Sequence, residues 1–113
     1  MTDQEIQAQI DLTVKDNKIV IFMKGSPMQP ACGFSAKTTE ILRSLGQPFS
    51  YVDIFEIPGV REGIKQYTNW PTIPQVFVNG EFVGGCDIVT EMHETGELQK
   101  MVGEAPAADA PTE

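Results

Sequence analysis

The spacing of apolar residues predicts the first helix and the strand that follows it. Over residues 3–15 an apolar side chain recurs at every fourth position, which places these side chains on one face of a helix. The preceding Thr-Asp-Gln-Glu matches a capping box at the helix start. The run KIVIFM at 18–23 is almost continuously apolar, as is typical of a strand covered on both faces. We therefore expect this strand to lie at the centre of a sheet.

A proline-containing loop separates that strand from a second helix. Residues 25–31 read GSPMQPA, and a glycine with two prolines favours a loop over a regular element. The following segment, CGFSAKTTEILRSLG, has the pattern of a helix that ends at Gly46. Cys32 is therefore predicted to lie in the first turn of this helix.

Strand and helix patterns continue to alternate in the second half of the chain. FSYVDI at 49–54 alternates as a strand does, and PGVREGIKQYT at 58–68 opens with proline at a favoured first position of a helix. QVFV-NG-EFVG at 75–84 contains the Asn-Gly turn of a β-hairpin. Asp87 is predicted to cap a last helix that runs to about Val102. The predicted order is α-β-α-β-α-β-β-α.

The C-terminal composition differs from the rest of the chain. The last segment, GEAPAADAPTE, is small, acidic and proline-containing, and such a segment cannot bury enough apolar surface to become ordered. The whole chain has 113 residues and 41% hydrophobic content, which suits one domain. We therefore expect one domain over 1–102 and a disordered acidic tail over 103–113.

Composition narrows the classes of function. The chain has 8 Lys and Arg against 16 Asp and Glu, and its net charge of -8 repels nucleic acid and anionic membranes. No apolar run is long enough for a membrane span, and the acidic, polar start is unlike a signal peptide. Two cysteines are too few for the disulfide framework of a small secreted protein. These features predict a cytoplasmic protein that binds neither nucleic acid nor membrane.

The position of Cys32 favours a reactive thiol. A helix N-terminus offers unpaired backbone N–H groups and the positive end of the helix dipole, and Lys24 at the end of the first strand adds a charge that favours a thiolate. Ser35 stands where a second cysteine would complete a Cys-x-x-Cys pair, so a mixed disulfide on Cys32 could not be resolved within the motif. A buried structural cysteine is the alternative. The loop before Cys32 argues against it, because such loops usually lie at the surface.

Two stretches resemble the monothiol glutaredoxins of the CGFS type. These are KGSPMQPACGFSAK at 24–37 and NWPTIPQVFVNGEFVGGCDIV at 69–89, and the resemblance spans about residues 4–102. The first stretch is highly specific, because it combines the Lys-Gly-Ser-Pro start, the extended loop and the Cys-Gly-Phe-Ser motif. The resemblance implies an α/β, thioredoxin-like fold with a four-stranded mixed sheet flanked by helices. It also implies glutathione binding, a [2Fe–2S] cluster, and weaker oxidoreductase activity than in two-cysteine relatives.

The resemblance further implies which residues bind glutathione. Lys24 and Arg61 would hold its glycine carboxylate as cations, although an ordinary solvated helix face is the alternative for Arg61. A cis bond before Pro74 would let the Ile73 backbone pair with the cysteinyl part, whereas without the resemblance a trans bond is expected. The helix start at Asp87 would receive the γ-glutamyl carboxylate. The residues predicted to bind glutathione or the cluster are Lys24, Cys32, Gly33, Phe34, Arg61, Thr72, Ile73, Pro74, Cys86 and Asp87.

Three residues near these motifs have more than one interpretation. Trp70 suits either packing at the edge of the core or a place on the surface of the site. Cys86 is expected to contribute backbone contacts and not to ligate a metal. His93 has no second His or Cys at ligand spacing, and we expect it to be exposed or partly packed.

Two functions compete for Cys32. A [2Fe–2S] cluster takes four thiolates, and one chain offers one exposed candidate, so two Cys32 thiolates and two glutathione thiols would complete the set in a homodimer. The resemblance implies the same arrangement, with a BolA-type protein and apo iron–sulfur acceptor proteins as further partners. In the alternative, Cys32 attacks a glutathione mixed disulfide and a second glutathione regenerates the thiol. We favour the carrier in iron–sulfur cluster biogenesis.

Overall fold

The computed structural model describes residues 1–103 as a four-stranded sheet with helices on both faces. Gly103, assigned above to the tail, is the last residue of the final helix, and the remainder of the predicted tail lies outside the described residues. None of the helices within 1–103 is long and apolar enough to cross a membrane. The elements in chain order are α1 (Asp3–Asp16), β1 (Ile19–Met23), α2 (Gly33–Ser44), β2 (Ser50–Asp53), α3 (Val60–Thr68), β3 (Gln75–Val78), β4 (Glu81–Gly84), α4 (Cys86–Thr95) and α5 (Glu97–Gly103).

The sheet has the mixed topology of a thioredoxin-like fold. Its strand order is β2-β1-β3-β4, with β1 parallel to β2 and antiparallel to β3, and β3 antiparallel to β4. Ile21 pairs with Tyr51 on one side and with Val76 on the other. The predicted central position of the apolar run at 18–23 is therefore confirmed. The hairpin turn is also confirmed, since Asn79 and Gly80 both have positive φ.

Two apolar clusters lie on opposite faces of this sheet. Phe22 and Phe77 pack with the buried face of α1 and with α3, whereas Ile21 and Leu42 belong to the cluster under α2, α4 and α5. Alternate side chains of β1 enter opposite clusters, which is why its sequence is continuously apolar. The capping box of α1 is present, with its threonine and glutamate bonded reciprocally at 3.1 and 2.7 Å.

The prediction of one long C-terminal helix is wrong. Gly96 has a φ of +87° and forms the C-cap of α4, and its N–H donates to the carbonyl of His93 at 3.3 Å. The left-handed conformation ends the α-helical hydrogen-bonding pattern, and α5 begins at the next residue. Leu98 and Val102 of α5 are fully covered in the cluster under α4. The break therefore allows a second short helix to complete this face of the core.

Two predicted helix starts are also displaced. α3 begins two residues after Pro58, because Gly59 lies between them in the left-handed conformation as the N-cap. Asp87 does not cap α4 and instead lies in its first turn, and Gly85 occupies the N-cap position without a side-chain hydrogen bond. Asp87 is therefore a charged residue in the first turn and not a cap.

A hydrogen bond between α1 and α3 shifts the pKa values of both of its partners. Tyr67 Oη donates to Asp11 Oδ1 at 2.6 Å, and Lys15 Nζ lies 3.1 Å from Asp11 Oδ2. The Tyr67 bond, then the Lys15 bond, lower the pKa of Asp11 below 3.8 against a smaller opposing effect of burial. Burial, then the adjacent Asp11 carboxylate, raise the pKa of Tyr67 to about 12, so this hydroxyl keeps its proton at neutral pH.

We expect Tyr67→Phe to lower the melting temperature at neutral pH and to lose most of this effect in acid. A depressed carboxyl pKa stabilises the fold above the unfolded-state value, and the contribution disappears as the pH falls through the folded-state pKa. The difference between variant and parent should therefore shrink as the pH drops below 3.8. Thermal unfolding monitored by circular dichroism measures it, with Tyr51→Phe on the exposed side of β2 as the control. A melting difference independent of pH would contradict the assignment.

Candidate functional site

The loop over 25–31 brings Cys32 back beside the end of β1. Ala31 N donates to the carbonyl of Lys24 at 2.8 Å, which closes the loop on the residue where it began. Gly25 has a φ of +85°, and a Cβ at this position would lie 2.4 Å from the Gln29 carbonyl oxygen. Any other residue would therefore be strained and would collide with the returning chain. The returning loop therefore places Cys32 near Lys24 at the end of β1.

Cys32 is the N-cap of α2, and Ser35 connects it to β1. Cys32 Sγ accepts from Ser35 N at 3.4 Å and lies 3.3 Å from Ser35 Oγ. Ser35 is fully buried, and its Oγ also accepts from Lys24 N at 3.2 Å. Because the Lys24 N–H occupies an acceptor position of this oxygen, the hydroxyl proton is free to point at a Cys32 thiolate. In the protonated form, the thiol donates to Ser35 Oγ instead.

Several groups around the sulfur favour its ionised form. Partial burial is the largest influence and raises the pKa of Cys32, but it is outweighed by the Ser35 hydroxyl, the backbone N–H groups of Ser35 and Phe34, and the Lys24 charge. The resulting pKa of Cys32 lies below the ordinary thiol value. A thiolate is both the better nucleophile and the form that binds soft metal ions. The backbone N–H groups at the helix start and the Lys24 charge both act in the direction expected from the sequence, and the reactivity of Cys32 stays a prediction.

We expect Ser35→Ala to raise the pKa of Cys32. The alanine variant removes the side-chain donor to the thiolate and leaves the backbone donors in place, so less thiolate should be present at neutral pH. The rate of alkylation by iodoacetamide as a function of pH measures this directly. Ser44→Ala, the same substitution at the other end of α2, is the control. An unchanged pH profile for the Ser35 variant would show that the hydroxyl does not stabilise the thiolate.

A cavity of about 170 Å³ lies beside this thiol-bearing turn. It is bounded by the start of α2, the segment before β3 and the start of α4. Six of the ten predicted site residues contribute to its wall, so the fold brings together segments that are far apart in the sequence. The lining residues are Phe34, Trp70, Thr72, Ile73, Pro74, Gly85, Cys86, Asp87 and Ile88.

The segment before β3 is held by a buried amide that the sequence analysis missed. Gln75 is fully buried, and its Nε2 donates to the carbonyls of Trp70 at 3.0 Å and Thr72 at 3.1 Å. Its Oε1 accepts from Thr68 Oγ1 at 2.8 Å. The one available signal was a polar amide at the start of an otherwise apolar strand. The peptide bond between Ile73 and Pro74 is cis, which confirms the expectation from the resemblance.

Trp70 belongs to both of the environments considered for it. Its ring packs edge-on against Phe82 with centroids 6.0 Å apart, and the side chain also lines the cavity. The indole Nε1 is buried and has no hydrogen-bond partner among residues 1–103. Trp70 is therefore a packed wall of the cavity and not an exposed binding surface.

The remaining four predicted residues do not line the cavity. Lys24 and Cys32 lie at the adjoining turn described above, and Gly33 is exposed at the start of α2. Arg61 is exposed on α3, with its guanidinium carbon 6.0 Å from the centroid of the Phe55 ring. Arg61 is therefore exposed to solvent, as the alternative of a solvated helix face predicted. Its guanidinium nevertheless has a specific aromatic neighbour.

The two cysteines occupy different environments, and both are free thiols. Cys32 is half-buried, whereas Cys86 is 9% exposed in the cavity wall. Within residues 1–103, no group of three or more His, Cys, Asp or Glu side chains is arranged to hold a metal ion. His93 is half-buried, with Nδ1 2.8 Å from Gln99 Nε2, as expected for a partly packed residue.

Comparison with known proteins agrees with this geometry. The model of the glutaredoxin family matches residues 19–83. A Synechocystis protein named as an uncharacterized monothiol glutaredoxin ycf64-like is 52% identical over 92% of this chain and 97% of its own length. Glutaredoxin 4 of Escherichia coli K12 is 49% identical over 94% and 89% of the two chains.

Solved structures show the same similarity. The solution structure of reduced poplar apo GrxS14 superposes with a TM-score of 0.80 at 44% identity, covering 92% of this chain and 96% of the poplar chain. The crystal structure of a buckwheat glutaredoxin–glutathione complex gives a TM-score of 0.81 at 26% identity, covering 90% and 91%. The similarity therefore extends over nearly the whole of each chain.

Proposed function

The chain belongs to the glutaredoxin family and has the Cys-Gly-Phe-Ser motif of its monothiol CGFS type, and from this premise we propose that it binds glutathione and carries a [2Fe–2S] cluster for iron–sulfur cluster biogenesis. The observation that carries the proposal is the environment of Cys32. Its sulfur is partly exposed at a helix start, its pKa is lowered, and Ser35 replaces the second thiol that would release a mixed disulfide.

The thiol count supports a shared cluster. A [2Fe–2S] cluster needs four thiolates, and Cys32 is the accessible thiol of each chain, since Cys86 is buried. Two chains and two glutathione molecules would supply the four sulfur ligands. The residue after Cys32 also borders open space, because a Cβ built on Gly33 would meet no atom within 4 Å. When bound, the cluster would supply the iron and sulfide that acceptor proteins receive.

The cavity supports glutathione as the second ligand. The N-terminus of α4 has no side-chain cap, so its backbone N–H groups and the positive end of the helix dipole are available to a carboxylate. Ile73 lies on the cavity wall, where its backbone would pair with the cysteinyl part of the tripeptide. Lys24 and Arg61 would bind the glycine carboxylate. The buckwheat glutaredoxin of similar fold was solved as a complex with glutathione.

A glutathione-dependent oxidoreductase is the second candidate, because the lowered pKa of Cys32 also suits a nucleophile. The Cys32 thiolate would attack the glutathione sulfur of a mixed disulfide and release the other thiol. A second glutathione thiolate would then attack the Cys32–glutathione disulfide, forming glutathione disulfide and restoring Cys32. This route needs one protein thiol, so Ser35 does not prevent it.

Cluster transfer tests the proposed function. We expect the protein reconstituted without air to pass its cluster to an apo ferredoxin faster than free iron and sulfide assemble there, which visible circular dichroism can follow. Apo acceptors of this kind and a BolA-type protein are the partners included in the proposal. Turnover on the mixed disulfide of glutathione and 2-mercaptoethanol should be weak. Brisk turnover without any transfer would favour the oxidoreductase.

A further inference from the structure

We propose that Asp53 is a positioning residue that sets the two cations of the glutathione site. The inference rests on the proposed function, in which Lys24 and Arg61 bind the glycine carboxylate. Asp53 is the last residue of β2 and is half-buried. Its side chain joins the turn that follows Lys24 to the turn that carries Phe55, the aromatic neighbour of Arg61.

One carboxylate oxygen makes both connections. Asp53 Oδ1 accepts from Gly25 N at 3.1 Å and from Phe55 N at 3.0 Å. Gly25 directly follows Lys24, so the first bond holds the turn at the end of β1. The second bond holds the turn that leaves β2 and carries the Phe55 ring. Because one oxygen accepts both bonds, the two turns are held next to each other.

The second turn reaches Arg61 through an exposed aromatic ring. Phe55 is 57% exposed, so its ring is accessible to a side chain from the neighbouring helix. The Arg61 guanidinium lies over this ring at 6.0 Å, within the range of a cation–π contact. A guanidinium supported in this way loses less conformational freedom when it binds a carboxylate. Asp53 therefore acts on Arg61 by placing the aromatic support.

The sheet does not depend on the Asp53 side chain. Ile54 N donates to the Met23 carbonyl at 2.9 Å, and the Asp53 backbone pairs with Met23 in the parallel register of β1 and β2. These backbone contacts remain when the side chain is removed. A substitution at Asp53 should therefore loosen the two turns while leaving the fold in place.

The charge of Asp53 distinguishes positioning from direct attraction. The negative charge of Asp53 repels the glycine carboxylate, so a benefit of Asp53 at this subsite must come from the bonds that its oxygen accepts and not from its attraction for the ligand. Asp53→Asn retains an acceptor oxygen of the same size and removes the negative charge. Asp53→Ala removes both. The two variants therefore separate hydrogen bonding from charge.

Titration calorimetry with glutathione tests the proposal in the full-length chain. We expect Asp53→Ala to bind about five- to tenfold more weakly, since two hydrogen bonds that fix the cations are lost. Asp53→Asn should bind as tightly as the parent or more tightly. With glutathione ethyl ester, whose glycine carboxylate is blocked, Asp53→Ala and the parent should bind equally, and circular dichroism should show an unchanged fold.

Three results would overturn the proposal: equal weakening by Ala and Asn, parental affinity in the Ala variant, or the same loss with the ester as with glutathione. The last result would mean that Asp53 supports the fold generally and not the carboxylate subsite. Failure of the unaltered chain to bind glutathione is a separate outcome. It would overturn the proposed function, and with it the subsite that Asp53 is inferred to position.

Discussion

Cys32→Ser is expected to abolish assembly of the [2Fe–2S] cluster while leaving the fold intact. A serine hydroxyl does not ionise near neutral pH and is a poor ligand for a site that selects thiolates. Each proposed dimer would lose two of its four sulfur ligands. The fold should persist because Cys32 is an N-cap, a position where serine is among the favoured residues. After anaerobic reconstitution with iron, sulfide and glutathione, visible absorbance and bound iron should both be absent.

Cys86→Ser is the matched control for the same chemical change. Cys86 lies at the start of α4 with its thiol largely covered in the cavity wall. We expect this variant to retain the visible spectrum and the iron content of the parent. A coloured dimer formed by the Cys32 variant would contradict the ligand assignment. Loss of the cluster in both variants would contradict the proposal that Cys86 contributes no ligand.

Arg61→Glu is expected to cause a large loss of glutathione affinity. The substitution replaces a cation with an anion at the proposed carboxylate subsite. A hydrogen bond to a charged group contributes about 1.5–3 kcal/mol, which corresponds to about a 10- to 150-fold change in affinity before repulsion is added. Chemical-shift titration with glutathione measures the effect. Retention of the cluster should fall in parallel, because the proposed cluster depends on bound glutathione.

Lys65→Glu provides the control for net charge. It makes the same change in charge on the same helix, one turn further along α3. If Arg61 binds the carboxylate directly, Lys65→Glu should weaken glutathione binding far less. Equal effects of the two variants would indicate only general electrostatic repulsion. An unchanged titration for Arg61→Glu would show that Arg61 belongs to the solvated face of α3.

Local sequence patterns were sufficient to predict the strands of the sheet. The apolar run of β1 predicted a strand covered on both faces, and Asn79 with Gly80 predicted a hairpin turn that requires positive φ. The helix start at Cys32 followed from the loop before it. These features depend on neighbouring residues, so they can be recognised without the tertiary fold.

Contacts between distant segments could not be predicted in the same way. Gln75 and Asp53 look like ordinary polar residues in strands, and their partners become evident only when the loops around them are folded. The break at Gly96 was missed because the apolar spacing continues across it into α5. The cis bond before Pro74 was expected only from the resemblance, since most such bonds are trans.

Native mass spectrometry of the anaerobically reconstituted protein tests the central claim most directly, because it weighs the chains, the cluster and glutathione in one species. Two chains with one [2Fe–2S] cluster and two glutathione molecules are expected. Removal of free glutathione should convert this species to colourless apo monomer. Colourless monomers that persist with glutathione present, and that turn over a glutathione mixed disulfide rapidly, would contradict the account, because Cys32 would then be acting as a nucleophile and not as a cluster ligand.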